Sequence, residues 1–141
     1  MGVVSDNGIV GFVLDVSTHY SIVKTILSDK VNISAKIKEQ EEVRGIIKWD
    51  GSDSKVCQLH GVTSDIIVSA GETILTKGSS GVYPEGIVVG KIKNDFVNNG
   101  SLTLKLNIEL GVNFSQLYTV YLIKNILKTE QKSIEQNYFN E

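Results

Sequence analysis

The chain has 141 residues, of which 41% are hydrophobic and 21% are charged, and its formal net charge is −2. This length suits one domain or two very small ones, with enough apolar residues for a packed core. The mixed charge argues against a nucleic-acid surface, which needs clustered Lys and Arg, and the single cysteine, Cys57, excludes an internal disulfide.

Most of the chain is predicted to form short strands. Nine apolar or alternating runs are separated by turn residues: 9–16, 21–27, 33–38, 43–49, 55–59, 73–75, 87–92, 102–110 and 118–123. The clearest is the run 102–110, in which Leu or Ile occupies every second position. Short strands without intervening helical runs favour an all-β barrel or sandwich over a parallel sheet.

The two ends of the chain differ from this pattern. The N-terminus lacks the basic and apolar regions of a signal peptide, and no run reaches the ~18 apolar residues of a membrane span. The chain is therefore expected to be soluble as given, or to be cut from a longer anchored protein. Lys, Gln and Glu are frequent towards the C-terminus, where residues 126–141 are predicted to form a short helix or a flexible tail.

Few residues suit catalysis or metal binding. His19 lies in a predicted hairpin turn, and no motif marks a nucleophile near it or near His60. Cys57 and His60 offer two metal ligands, whereas a structural zinc site needs about four. Alternation along a strand also turns these two side chains to opposite faces. The sequence therefore predicts no catalytic residue, no metal site and no cofactor.

Two weaker motifs have ordinary explanations. Residues 77–81 could form a backbone nest for phosphate, but they lack the P-loop order and a following helix, so a plain loop is expected. Three Asn-x-Ser sequons begin at Asn32, Asn99 and Asn113. In a chain rich in Asn and Ser we attribute them to chance.

The stretch 71–92 is the most distinctive part of the sequence, with five of the 13 glycines and the only proline. It is predicted to run strand, tight loop, turn, strand. Pro84 fixes φ at the first corner of the turn, Gly86 supplies a permissive φ near its end, and Gly81 belongs to the same structural turn. Gly90, inside the next strand, indicates a bulge or a close backbone approach.

The same stretch resembles the signature of the MreC family of bacterial rod shape-determining proteins. The resemblance lies in residues 71–76, Gly78 and residues 81–90, with Glu72 in place of the usual Asp and Lys77 in place of the usual Ser. Three further segments agree in order with the family: 8–13, 44–51 and 117–123. The Trp-Asp-Gly at 49–51 and the C-terminal tail are most similar to members from Bacteroidota.

The resemblance implies a fold of two small β-barrels, the second inserted into the first. It places residues 1–57 and 111–125 in the first barrel and residues 58–110 in the second. The helix or tail over 126–141 follows them.

It also implies a function. Members of the family are non-enzymatic periplasmic scaffolds of the cell-elongation machinery, held at the inner membrane by an N-terminal transmembrane helix that this chain would lack. They self-associate as dimers or larger assemblies, bind a penicillin-binding transpeptidase, and work with MreD and MreB. Val82, Tyr83 and Ile87, around the turn, are the predicted partner contacts, although all three could instead close the barrel. A chymotrypsin-like hydrolase and a sheet-forming assembly module remain as alternatives.

Overall fold

The computed structural model describes residues 1–78, 82–93 and 102–124 of the chain. Within these ranges it contains ten strands and one short 3-10 helix, Phe114–Gln116. The strands are β1 Gly2–Ser5, β2 Gly8–Val16, β3 Ser21–Thr25, β4 Ile33–Ile37, β5 Gln40–Lys48, β6 Val56–Thr63, β7 Thr73–Thr76, β8 Val88–Ile92, β9 Thr103–Leu110 and β10 Tyr121–Ile123. The predicted all-β class is confirmed, and each of the nine predicted strands has a counterpart.

Six of the strands close into a barrel with the order β4-β5-β6-β9-β8-β7, and every pairing is antiparallel. Apolar and polar side chains alternate along these strands, so each strand turns one apolar face inward, and closing the sheet into a barrel buries those faces. In β9, Leu104, Leu106, Ile108 and Leu110 are buried, while Thr103, Lys105 and Glu109 face water. A barrel of this kind removes most free sheet edges.

The remaining strands form an open antiparallel sheet with the order β10-β1-β2-β3. Its strands come from the two ends of the described chain, so the closed barrel is inserted between β3 and β10. Insertion agrees with the implied architecture. The first unit, however, is an open sheet of four strands, since no pairing joins its edge strands β3 and β10 to each other.

The strand pairing also differs from the predicted division of the chain at residue 57. β4 and β5 belong to the closed barrel, because β4 pairs with β7 and β5 pairs with β6. In the structure, strands from residues 33–110 therefore form one closed unit. The division at residue 57 was implied by the family resemblance, and the sequence could not refine it because a strand's pairing partner leaves no local signal. The predicted tail, 126–141, lies outside the described residues.

The sheet and the barrel share a hydrophobic core. Ile9 and Ile26, from the sheet side, are buried together with barrel residues such as Leu59, Leu106 and Ile108. A second, smaller cluster of Val3, Val10 and Val112 lies within the sheet unit. Because the larger cluster is continuous, apolar burial holds the two units together.

Candidate functional site

The corner formed by residues 82–87 is organised by one buried threonine. The Thr76 hydroxyl donates a hydrogen bond to the Pro84 carbonyl at 2.8 Å and accepts one from the Ile87 amide at 2.9 Å. The Thr76 backbone also pairs with Gly86 and Ile87. Thr76 is 1% exposed, so this hydroxyl takes the place that water would otherwise have at the turn.

An ion pair holds the outer side of the same corner. Lys36, on β4, is buried to 7% exposure, and its ammonium contacts the carboxylates of Glu85 and, at 3.5 Å, Glu41. The hydrogen bond with Glu85 is the main cause that raises the pKa of Lys36. The same bond lowers the pKa of Glu85. The corner is thus fixed to β4 by charge as well as to β7 by Thr76.

Tyr83 joins the corner to the open sheet. Its ring is 2% exposed, and its hydroxyl donates a hydrogen bond to the carbonyl of Gly11 in β2. Burial raises the pKa of this phenol. A Cβ at Gly2 would lie 2.7 Å from the ring, so the absence of a side chain there makes room for Tyr83.

The residues predicted at the corner therefore have distinct placements. Tyr83 is enclosed, whereas Val82 and Ile87 are partly buried against the main core. Gly86 has a φ of +96°, in the region that favours glycine. A Cβ at Gly90 would meet the Glu109 carbonyl oxygen at 2.1 Å. Pro84 accepts the hydrogen bond from Thr76, and Gly81 lies outside the described residues.

The exposed apolar surface lies elsewhere, on the open sheet. The distal ends of β2 and β3 present Leu14, Val16 and Ile22, with Tyr20 in the turn between them, and each is more than half exposed. β1 pairs with β2 only from Gly8 to Phe12, so this end of the hairpin extends beyond the sheet. At the opposite edge, Tyr118 is 94% exposed and precedes the exposed Tyr121 and Leu122 of β10.

This surface was not predicted from the sequence. The run 9–16 was predicted to be a strand because it is apolar, and no exposed end was expected. A signal was available, because Val13-Leu14-Asp15-Val16 does not alternate cleanly, and a bulge does follow Val13. Apolar side chains concentrated at free strand ends and edges are typical of protein-binding surfaces.

The residues considered for catalysis are not combined into a site. His19 is exposed in the turn after β2, and His60 lies on the outer wall of the barrel. Partial burial, and then the charges of Lys48 and Lys105, lower the pKa of His60. Cys57 is buried, which raises the pKa of its thiol to about 12. Nothing in these placements supports the hydrolase alternative.

The described residues form neither a metal-binding cluster nor a membrane-spanning helix. Among residues 1–78, 82–93 and 102–124, no group of three or more His, Cys, Asp and Glu side chains is arranged to hold a metal ion. In the same part of the chain, no helix is long and apolar enough to cross a membrane.

Comparisons with known proteins agree with one another. A family model described as rod shape-determining protein MreC, barrel core, matches residues 1–124. The chain is 28% identical over 126 residues to the cell shape-determining protein MreC of Listeria monocytogenes. That match covers 88% of this chain but 43% of the relative, so the chain spans less than half of the relative's length.

Solved structures show the same similarity. One is MreC from Listeria monocytogenes, with a TM-score of 0.78 and 27% identity, covering 89% of this chain and 60% of that one. Another is a complex between penicillin-binding protein PBP2 and MreC from Helicobacter pylori, with a TM-score of 0.66 and 17% identity. The latter match covers 84% of this chain and 73% of that one, and at this identity it shows a shared fold.

Proposed function

Since the chain belongs to the MreC family of rod shape-determining proteins, we propose that it is a scaffold domain of the cell-elongation machinery that binds a cell-wall transpeptidase. The observation that carries the proposal is the fold shared with an MreC from Helicobacter pylori that was solved in complex with a penicillin-binding protein. The exposed apolar residues of the open sheet support it, because they offer a protein-binding surface outside the shared core.

The scaffold role is non-enzymatic in this proposal. Partial burial, and then the charges of Lys48 and Lys105, lower the pKa of His60 and so disfavour its imidazolium form. The Cys57 thiol, with a pKa of about 12, remains protonated at neutral pH and is not a nucleophile. In this proposal His60 is a structural residue of the barrel wall and Cys57 is a structural residue of the core.

The proposal extends to the rest of the machinery through the family. We place the domain in the periplasm, attached in the full-length protein to an inner-membrane anchor, and acting with MreD and MreB. Self-association into dimers or larger assemblies belongs to the same proposal. Free sheet edges support it, since β3 and β10 each have one side without a strand partner in the described sheet. Sedimentation over a range of concentrations tests this part independently.

A pull-down with the periplasmic part of the penicillin-binding transpeptidase from the same organism tests the main proposal. The folded chain is expected to retain the transpeptidase at micromolar concentration. A matched chain carrying Leu14→Asp and Ile22→Asp tests whether the exposed hairpin end contributes, because both side chains already face water. Failure of the unaltered chain to bind at high micromolar concentration contradicts the proposal.

A further inference from the structure

The barrel wall opens at one end, between β5 and β6. These strands pair only over Ile46↔His60, Ile47↔Leu59 and Lys48↔Gln58. β5 begins at Gln40 and β6 continues to Thr63, so both strands extend past the last shared pair. Residues 41–45 have no ladder partner on β6, and residues 61–63 have none on β5.

Two local irregularities produce this opening. Gly61 has a φ of +90°, and the β6–β9 register shifts between His60 and Val62 around it. A glycine bulge of this kind bends a strand and turns its edge away from its neighbour. On the other side, the β4–β5 register passes from Lys36↔Arg44 to Ile37↔Gln40, which leaves residues 41–43 outside that ladder as well.

A cavity of about 560 Å³ occupies the gap. Residues 40–44 of β5 form one wall, Gly61 and Thr63 of β6 form the other, and Ile66 lies at the end. The floor is apolar, because Val43 is 8% exposed and Ile66 packs against the main core. The volume lies within the range of ordinary binding sites, roughly 300–1,000 Å³.

The unpaired charges at the mouth of the gap are of both signs. Glu41 already contacts Lys36 at 3.5 Å. Glu42 is exposed, and within the described part of the chain no Lys, Arg or His nitrogen lies within 4 Å of its carboxylate. Arg44 also lines the gap, so Glu42 and Arg44 are the two charged residues of its lining that form no ion pair within the described part of the chain. A segment carrying one positive and one negative side chain would complement both of them.

We propose that the gap accepts an extended segment of the partner protein, which adds as a strand to the free edge of β5 or β6. Backbone groups on these edges would supply the pairing, as in other cases of strand addition. An apolar side chain of the segment would contact Val43 and Ile66, a Lys or Arg would face Glu42, and an Asp or Glu would face Arg44. The inference rests on the proposed function, because it takes the partner to be the penicillin-binding transpeptidase.

The first test measures binding of the periplasmic part of that transpeptidase to three forms of the chain. The double variant Glu42→Lys/Thr63→Arg reverses the charge of Glu42 and fills the gap, and both positions are exposed. The matched control Asp29→Lys/Asn7→Arg makes the same change in net charge at exposed positions that lie outside both the gap and the exposed end of the β2–β3 hairpin. We expect the gap variant to bind at least tenfold more weakly and the control to bind within twofold of the unaltered chain.

The second test requires no variant. Amide hydrogen exchange of the unaltered chain, with and without the transpeptidase, reports backbone pairing directly. We expect slower exchange in residues 41–44 or 61–63 when the partner is bound. If the unaltered chain binds but these amides keep their exchange rates, or the gap variant binds as the control does, the inference is wrong and the proposed function stands. If the unaltered chain does not bind at all, the proposed function fails and the inference fails with it.

Discussion

Replacing Thr76 by Val should detach the corner at residues 82–87 from β7. Valine keeps the shape of threonine but removes the hydroxyl that satisfies the Pro84 carbonyl and the Ile87 amide. Leaving a buried polar group without a partner costs about 1–3 kcal/mol. Pro84 and Ile87 are only partly buried, so the cost of leaving each of their polar groups without a partner should lie towards the lower end of this range. The expected destabilisation is therefore roughly 2–4 kcal/mol in total.

Thermal and urea denaturation measure this change. For a domain of this size the loss corresponds to a fall in melting temperature of roughly 6–15 °C. Thr76→Ser keeps the hydroxyl and loses one methyl group, so it should cost only about 1 kcal/mol. Thr73→Val, in the same strand, is the matched control, because that side chain is half-buried and makes no hydrogen bond to another described residue.

The comparison of Thr76→Val with Thr73→Val is decisive for the role of the hydroxyl. If Thr76→Val and Thr73→Val differ by less than about 0.5 kcal/mol in their free energies of unfolding, the hydroxyl does not hold the corner. A second signature should accompany the loss of stability. Amides in residues 82–87 should exchange faster in Thr76→Val than in Thr76→Ser, since the corner would open locally before the barrel unfolds.

Three further predictions concern neighbouring groups. The pKa of Glu85 is lowered in the folded state, so its ion pair with Lys36 stabilises the fold above the pKa of an unfolded glutamate. This stabilisation is lost as the pH falls through the folded-state pKa. Between pH 7 and pH 3 the unaltered chain should therefore lose more stability in urea than Glu85→Gln, and equal losses would contradict this. Tyr83→Phe should cost about 1–2 kcal/mol by removing the buried hydrogen bond to Gly11, and an unchanged urea midpoint would show that the bond contributes nothing. The buried Cys57 thiol should react with a thiol reagent at pH 8 only after denaturation, whereas rapid labelling of the folded chain would show that the core is open.

Local pattern was enough to find most of the strands. The alternation in residues 102–110 predicted both the element and its buried face, since β9 buries Leu104, Leu106, Ile108 and Leu110. Leu102 is the exception, because it precedes the strand and is 87% exposed. β1 was missed because Val3 and Val4 form too short an apolar run between polar neighbours to show a period. Its place between β10 and β2 depends on contacts with residues that are distant in sequence.

Side-chain roles at the corner were harder to predict than its backbone. Gly86 and Gly90 could be interpreted from the sequence because their effects are local steric ones. The role of Tyr83 could not, because its partner, Gly11, is 72 positions away. The ion pair between Lys36 and Glu85 is separated by 49 positions and left no local signal either. The gap beside Gly61 depends on how two registers end, which only the folded chain shows.

Binding of a cell-wall transpeptidase by this barrel domain can be measured by calorimetric titration of the folded chain with the periplasmic part of that transpeptidase. We expect saturable binding, with a negative heat-capacity change from the burial of apolar surface. Absence of any heat of binding up to high micromolar concentration, at more than one temperature and with a chain that still melts cooperatively, would contradict it.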